Sequence, residues 1–126
     1  MSVKQAFMKY FSNHAETGEN HWDPALRTHY YKLTKDNGLK KIEAFFNHSD
    51  TYEVNAISNE HGEISVHVTK GRKAFVIITV IMVRPYRTAI DFAVTSESFL
   101  PFDFGYSSSL IQRLYHEFDN TFPLID

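Results

Sequence analysis

Residues 51–94 read TYEVNAISNEHGEISVHVTKGRKAFVIITVIMVRPYRTAIDFAV, and the spacing of apolar residues in this stretch decides the fold. Tyr52, Val54 and Ala56 alternate with Glu53 and Asn55. After the turn residues Asn59, Glu60, His61 and Gly62, the residues Ile64, Val66 and Val68 alternate with Ser65, His67 and Thr69. A two-residue period places alternate side chains on opposite faces of a strand. A second turn at Lys70, Gly71, Arg72 and Lys73 leads into residues 74–83, where only Thr79 is polar. A run that is apolar on both faces marks an interior strand. Past Arg84 and Pro85 the alternation returns, with Tyr86, Thr88, Ile90, Phe92 and Val94 on one face and Arg87, Ala89 and Asp91 on the other. Short turns between successive strands imply an antiparallel meander of four strands.

Outward from this sheet the period becomes helical. Val3, Phe7, Tyr10, Phe11 and His14 recur at the spacing of one helix face, a pattern that predicts an N-terminal amphipathic helix ending by Gly18. Asp23 and Pro24 have the chemistry of a helix start, and residues 25–33 are either a helix or an irregular crossing. Thr34 or Asp36 caps a further helix whose buried face is Leu39, Ile42, Phe45 and Phe46. After a loop over residues 98–105, one of Ser107, Ser108 or Ser109 is expected to cap a C-terminal helix buried through Leu110, Ile111, Leu114, Tyr115 and Phe118. The expected class is α+β: a four-stranded antiparallel meander with two or three N-terminal helical segments and one C-terminal helix. With 126 residues, no repeat and no linker, the chain reads as a single domain, residues 1–126.

Composition narrows the chemistry. With no cysteine, thiolate metal sites, disulfides and cysteine nucleophiles are excluded. Lys4, Gln5 and Lys9 interrupt the N-terminal apolar residues, so no secretory signal core is expected, and residues 74–83 are about half the length of a membrane-spanning helix. These features point to the cytoplasm and away from a membrane. A formal net charge of −2 argues against a protein that holds nucleic acid mainly through phosphates, although Lys70, Arg72 and Lys73 form a local basic turn.

Seven histidines invite a metal reading. His61, Glu63 and His67 share parity, but six residues of extended chain separate the outer two by about 20 Å, far beyond the reach of one ion. His21, Asp23 and His29, around Trp22, are a weak candidate set with ligands suited to zinc or iron, and no metal or other cofactor is expected. Asp103, Phe104 and Gly105 spell a kinase metal motif without the rest of a kinase. Residues 105–109, at a helix start with three serines, have the chemistry of an anion site, though such serines ordinarily cap. Asp91 sits among apolar residues, and a hydrogen bond to Ser65 or Thr95 is the simplest way to satisfy it. No G-x-S-x-G motif or convergent catalytic set is present.

Two functional expectations follow. Val76, Ile78, Val80 and Met82 are assigned to an outer sheet face rimmed by Ser65, His67, Arg87 and Asp91. An apolar centre in a polar rim has the anatomy of an interface, here with a second copy. The expected protein is therefore a non-enzymatic binding domain, homodimeric through its sheet. The alternative is a small-molecule-binding protein or small enzyme with an aromatic pocket between sheet and helices, lined by Tyr30, Tyr31, Tyr52, Phe92 and Tyr115.

Residues 27–32 (Arg-Thr-His-Tyr-Tyr-Lys), Gly62-Glu63-Ile64 and the helix over 107–118 together resemble an uncharacterised family of short bacterial "cytosolic" proteins of Bacillus-type organisms. The resemblance runs over residues 22–119. It implies a bacterial, intracellular protein and carries over no activity and no functional residue.

Overall fold

The computed structural model describes residues 13–97 and 102–125. Its elements are β1 (His14–Glu16), a 3-10 turn (Pro24–Leu26), β2 (His29–Tyr31), α1 (Lys35–Asn47), β3 (Tyr52–Ser58), β4 (Glu63–Val68), β5 (Ala74–Arg84), β6 (Arg87–Ser96) and α2 (Tyr106–Thr121). The protein is α+β, and β3–β6 form the antiparallel meander that alternation demands.

The sheet has six strands rather than four. The two additional strands, β1 and β2, lie end to end along the outer edge of β6, with Ala15 opposite Val94 and Tyr30 opposite Ala89. Among the described residues the helical segments before β3 are the 3-10 turn and α1. Most of the expected first helix lies outside the described residues, while His14, placed on it by periodicity, is in β1. Residues 25–33 hold one 3-10 turn and β2 in place of a helix. Three-residue strands carry too little alternation to be read, and the open backbone edge of β6 provides what stabilises them. The C-terminal tail extends this edge: Lys32 N–H donates to the Pro123 carbonyl at 2.8 Å, and Ile125 N–H to the Tyr30 carbonyl at 2.8 Å.

Register fixes which face of β5 is the core. Ile78 stands opposite Ile64 on β4 and Phe92 on β6, so its even-numbered residues join their apolar faces. Val76, Ile78 and Val80 are 0%, 0% and 1% exposed beneath the helices. The expected interface is thus corrected: those three side chains belong to the chain's own core, and only Met82 of the four is exposed. The outward face carries Phe75, Ile77, Thr79 and Ile81, opposite His67, Ser65 and Glu63 on β4 and alongside Asp91 and Ala89 on β6. A strand apolar on both faces has no parity of its own, and a one-residue change of phase exchanges the faces.

The helices cover the even face. Thr34 caps α1, its hydroxyl accepting from Asn37 N–H at 3.2 Å, an interaction typically worth about 1 kcal/mol. Leu39, Ile42 and Phe46 are buried, and Gly38 lets the helix approach β5 so closely that a Cβ there would lie 3.3 Å from Val80 Cγ1. Phe118 of α2 centres the core, with ring centroids 5.1 Å from Phe45, 5.2 Å from Phe92 and 4.9 Å from Phe122. Among the described residues no helix is long and apolar enough to cross a membrane.

Candidate functional site

Three polar features merit a chemical reading, and two are structural. The first is the start of α2. Gly105, at φ 84°, precedes the helix, and no serine caps it. Asp103, 1% exposed, accepts from the hydroxyls of Ser96 and Ser107, both at 2.6 Å, and from Gly105 N–H at 3.1 Å and Ser107 N–H at 3.3 Å. The anion chemistry considered for residues 105–109 is therefore met by the chain's own carboxylate, which takes the place an external anion would hold at the helix N-terminus. The letters of the kinase motif there describe a cap.

The second lies where β1, β2, β6 and α2 meet. Asp91 Oδ1 accepts from Thr17 and Thr28 hydroxyls, both at 2.6 Å, so Asp91 is satisfied by hydrogen bonds from partners other than Ser65 and Thr95. His29 stacks on Tyr115 with ring centroids 3.7 Å apart, and its Nδ1 lies 2.9 Å from Asp119 Oδ1. The same oxygen accepts from the Tyr31 hydroxyl at 2.6 Å, and Tyr115 donates to the Ile90 carbonyl at 2.6 Å. Burial pushes the Tyr31 phenol well above its ordinary range, with Asp119 adding to the shift. Burial does the same for Tyr115. An imidazole–carboxylate pair is present, but the hydroxyls of the neighbouring Thr17 and Thr28 give their protons to Asp91, so no activated nucleophile accompanies it. The network holds the edge strands to α2.

The weak metal candidate is not assembled. Asp23 caps the 3-10 turn through Ala25 N–H at 3.0 Å, His21 Nδ1 accepts from Asp23 N–H at 2.9 Å, and His29 turns to Asp119. Among the described residues no group of three or more His, Asp or Glu is placed to hold a metal ion. The five aromatic residues expected to line one pocket are also dispersed. Tyr31, Phe92 and Tyr115 are core side chains, whereas Tyr30 lies under the Arg87 guanidinium, 4.4 Å from its ring centroid. Tyr52 is the one of the five that lines the cleft described next.

That cavity is the third feature, an open cleft of about 1010 Å³ bounded by the C-terminal half of α1, the start of β3, the β4–β5 turn and α2. Phe45, Tyr52, Tyr106 and Phe122 give it aromatic walls. Its charged lining comprises Lys41, Lys70, Arg72 and Arg113 against Asp50 and Glu117, a local excess of two positive charges (four minus two) in a chain whose formal charge is −2. Lys70 pairs with Asp50 at 2.7 Å, and this hydrogen bond holds the Asp50 carboxyl below its usual value. Arg72 lies 4.5 Å above the Tyr106 ring centroid, and Tyr106 donates to the Arg72 carbonyl at 2.8 Å, so the ring fixes the arginine at the rim.

Lys41 and Arg113, on different helices, enter no ion pair among the described residues, and the Tyr52 hydroxyl makes no hydrogen bond among them. Burial raises the Tyr52 phenol above its ordinary pKa, Arg113 opposing and Glu117 reinforcing that shift, so the hydroxyl is a proton-bearing donor at neutral pH. Three donors with unspent capacity thus converge on one aromatic-walled space. Lys41 and Arg113 are unremarkable exposed helix residues in the sequence, and only the packing of α1 beside α2 joins them.

The fold and cleft define a class: an α+β protein with helices packed on the even face of an antiparallel sheet and a cationic, aromatic cleft at one end. No protein-family model, curated protein or solved structure matches the chain.

Proposed function

We propose that the protein is a non-enzymatic binding domain that takes up a small organic anion with a planar apolar body in the cleft. The observation carrying this reading is the shared place of Lys41, Arg113 and Tyr52, whose polar ends make no hydrogen bond or ion pair with another described residue, in the lining of a space walled by aromatic rings. Ligand sites typically combine apolar walls with a few placed polar groups. A planar body stacks on Tyr106 and Phe45, while a carboxylate or phosphate accepts from Arg113 and Lys41. Catalysis is not part of this reading, because the imidazole–carboxylate pair of His29 and Asp119 lies outside the cleft lining and lacks an activated nucleophile.

Calorimetric titration with aromatic carboxylates and nucleoside monophosphates, followed by amide shift mapping, tests the proposal. Saturable binding that perturbs residues 41–52 and 106–117 is expected. Arg113→Ala and Lys41→Ala should each weaken it about 10- to 100-fold, the usual effect of losing a hydrogen bond to a charged group. Absence of binding by every probe, or binding indifferent to both substitutions, overturns it. A steep salt dependence with long oligonucleotides but no small-anion binding would replace it with a nucleic-acid reading through Lys70, Arg72 and Lys73.

A further inference from the structure

Glu117 is the charge in the cleft that a purely anionic ligand leaves unanswered. Of the two carboxylates in the lining, Asp50 is held by Lys70, whereas the Glu117 carboxylate enters no hydrogen bond or ion pair among the described residues. It follows Arg113 on α2 by four residues, a spacing at which helix side chains are neighbours, about 5–6 Å apart at Cβ. Arginine before glutamate is the less favourable order for a pair of this kind, and here the two do not pair. Both charges nonetheless act on one phenol. Burial has the largest effect on Tyr52, raising its pKa; after it Arg113 lowers that pKa and Glu117 raises it. One face of α2 thus brings an unspent guanidinium and an unspent carboxylate to the same space.

The helix ends add to the negative side. Ala44 and Phe45 in the last turn of α1, and Thr121 in the last turn of α2, also line the cleft, and neither last turn holds a basic residue. A helix C-terminus carries partial negative charge and favours a cation beside it. Lys41 and Arg113 stand more than a turn before these ends, so the lining has a cationic part and a separate part that calls for a cation. Resting on the anion site above, we propose that its occupant is a zwitterion of the aromatic α-amino acid class. The carboxylate accepts from Arg113 and Lys41, the ammonium donates to Glu117, and the ring lies against Tyr106 and Phe45. An α-amino acid carries both charges on one carbon, which suits two opposite charges one helical turn apart. A plain carboxylate would set like charge beside Glu117, and a plain amine would do so beside Arg113 and Lys41, so the lining rejects each half of the ligand alone.

Three probes separate the charges: L-tryptophan, indole-3-propionate, which lacks only the ammonium, and tryptamine, which lacks only the carboxylate. In calorimetric titration of the full chain, tryptophan should bind about 10-fold or more tightly than either of the others, the usual worth of a hydrogen bond between charged groups. Glu117 is exposed, so Glu117→Gln should keep the parent's circular dichroism. That variant should bind tryptophan about tenfold more weakly while binding indole-3-propionate as well as the parent or better, a split that general damage to α2 would not produce. Indole-3-propionate binding as tightly as tryptophan overturns the inference and leaves the anion site standing, and so does tryptophan binding that is indifferent to Glu117→Gln. Binding of neither carboxylate is failure of the anion site itself, and this inference falls with it.

Discussion

Replacing Asp103 with alanine strips the acceptor from four donors at once: the Ser96 and Ser107 hydroxyls and the Gly105 and Ser107 amides. An unsatisfied buried donor costs about 1–3 kcal/mol, giving a gross loss of roughly 4–12 kcal/mol. Two effects reduce it. Removing a carboxylate that is 1% exposed recovers the desolvation penalty of a buried charge, several kcal/mol by itself. The Ser107 hydroxyl also keeps the Asn13 carbonyl as an alternative acceptor at 3.2 Å. The expected net loss is about 4 kcal/mol, which at a urea dependence of about 2 kcal/mol per molar moves the unfolding midpoint down by about 2 M. Asp103→Asn keeps one acceptor oxygen but turns an amide toward the donors, and should lose about half as much. The assay is equilibrium urea unfolding followed by far-ultraviolet circular dichroism. An Asp103→Ala loss below about 1 kcal/mol would mean that the helix start does not depend on this carboxylate, reopening residues 105–109 as a site for an external anion.

Other perturbations reach different parts of the fold. Gly62 has φ 66°, and a Cβ there would fall 2.4 Å from the Val80 carbonyl oxygen, a backbone atom that cannot swing aside. Gly62→Ala should therefore cost about 2–4 kcal/mol in urea unfolding, and a loss under about 0.5 kcal/mol would refute the close approach of the β3–β4 turn to β5. Phe118→Ala, which empties the centre of the aromatic cluster, should cost about 3–5 kcal/mol; a change near zero would show that the cluster does not carry the core. Alkaline pH probes the buried phenols. Folded-state pKa values of Tyr31 and Tyr115 are raised, so their contribution is intact below the unfolded value of about 10 and lost as pH rises beyond it. Their phenolate absorbance should arrive together with loss of circular dichroism, and ionisation of these two rings in a still-folded protein would contradict their burial.

What was legible in the sequence was whatever repeats. The period of two in β4 and β6, and the helical period through Leu39, Ile42 and Phe46 or Leu110, Leu114 and Phe118, name both the element and its buried face, because polar residues occupy most of the other positions; in β3 the period holds only to Val54, where a bulge turns Ala56 outward beside Ser65 and Ile57 inward beside Ile64. Short local chemistry was legible too: Thr34 caps α1, and Asp23 with Pro24 opens the 3-10 turn. β1 and β2 were hidden, since His-Ala-Glu and His-Tyr-Tyr hold no pattern until the β6 edge offers them partners. The expected serine cap misled because the capping group stands several residues upstream of the serines, in Asp103.

By itself, then, the sequence determined an α+β chain with a central antiparallel meander, a cysteine-free chemistry and the residues that must leave water. Tertiary structure alone decided which face of β5 is inside, because a strand apolar on both sides acquires its parity only from the register with Ile64 and Phe92. It also decided the cleft: Lys41 and Arg113 are far apart along the chain, and only α1 and α2 lying side by side on the sheet bring both to the lining that holds Tyr52. Periodicity reports how each segment divides between water and core, a local property, whereas a site depends on which segments become neighbours.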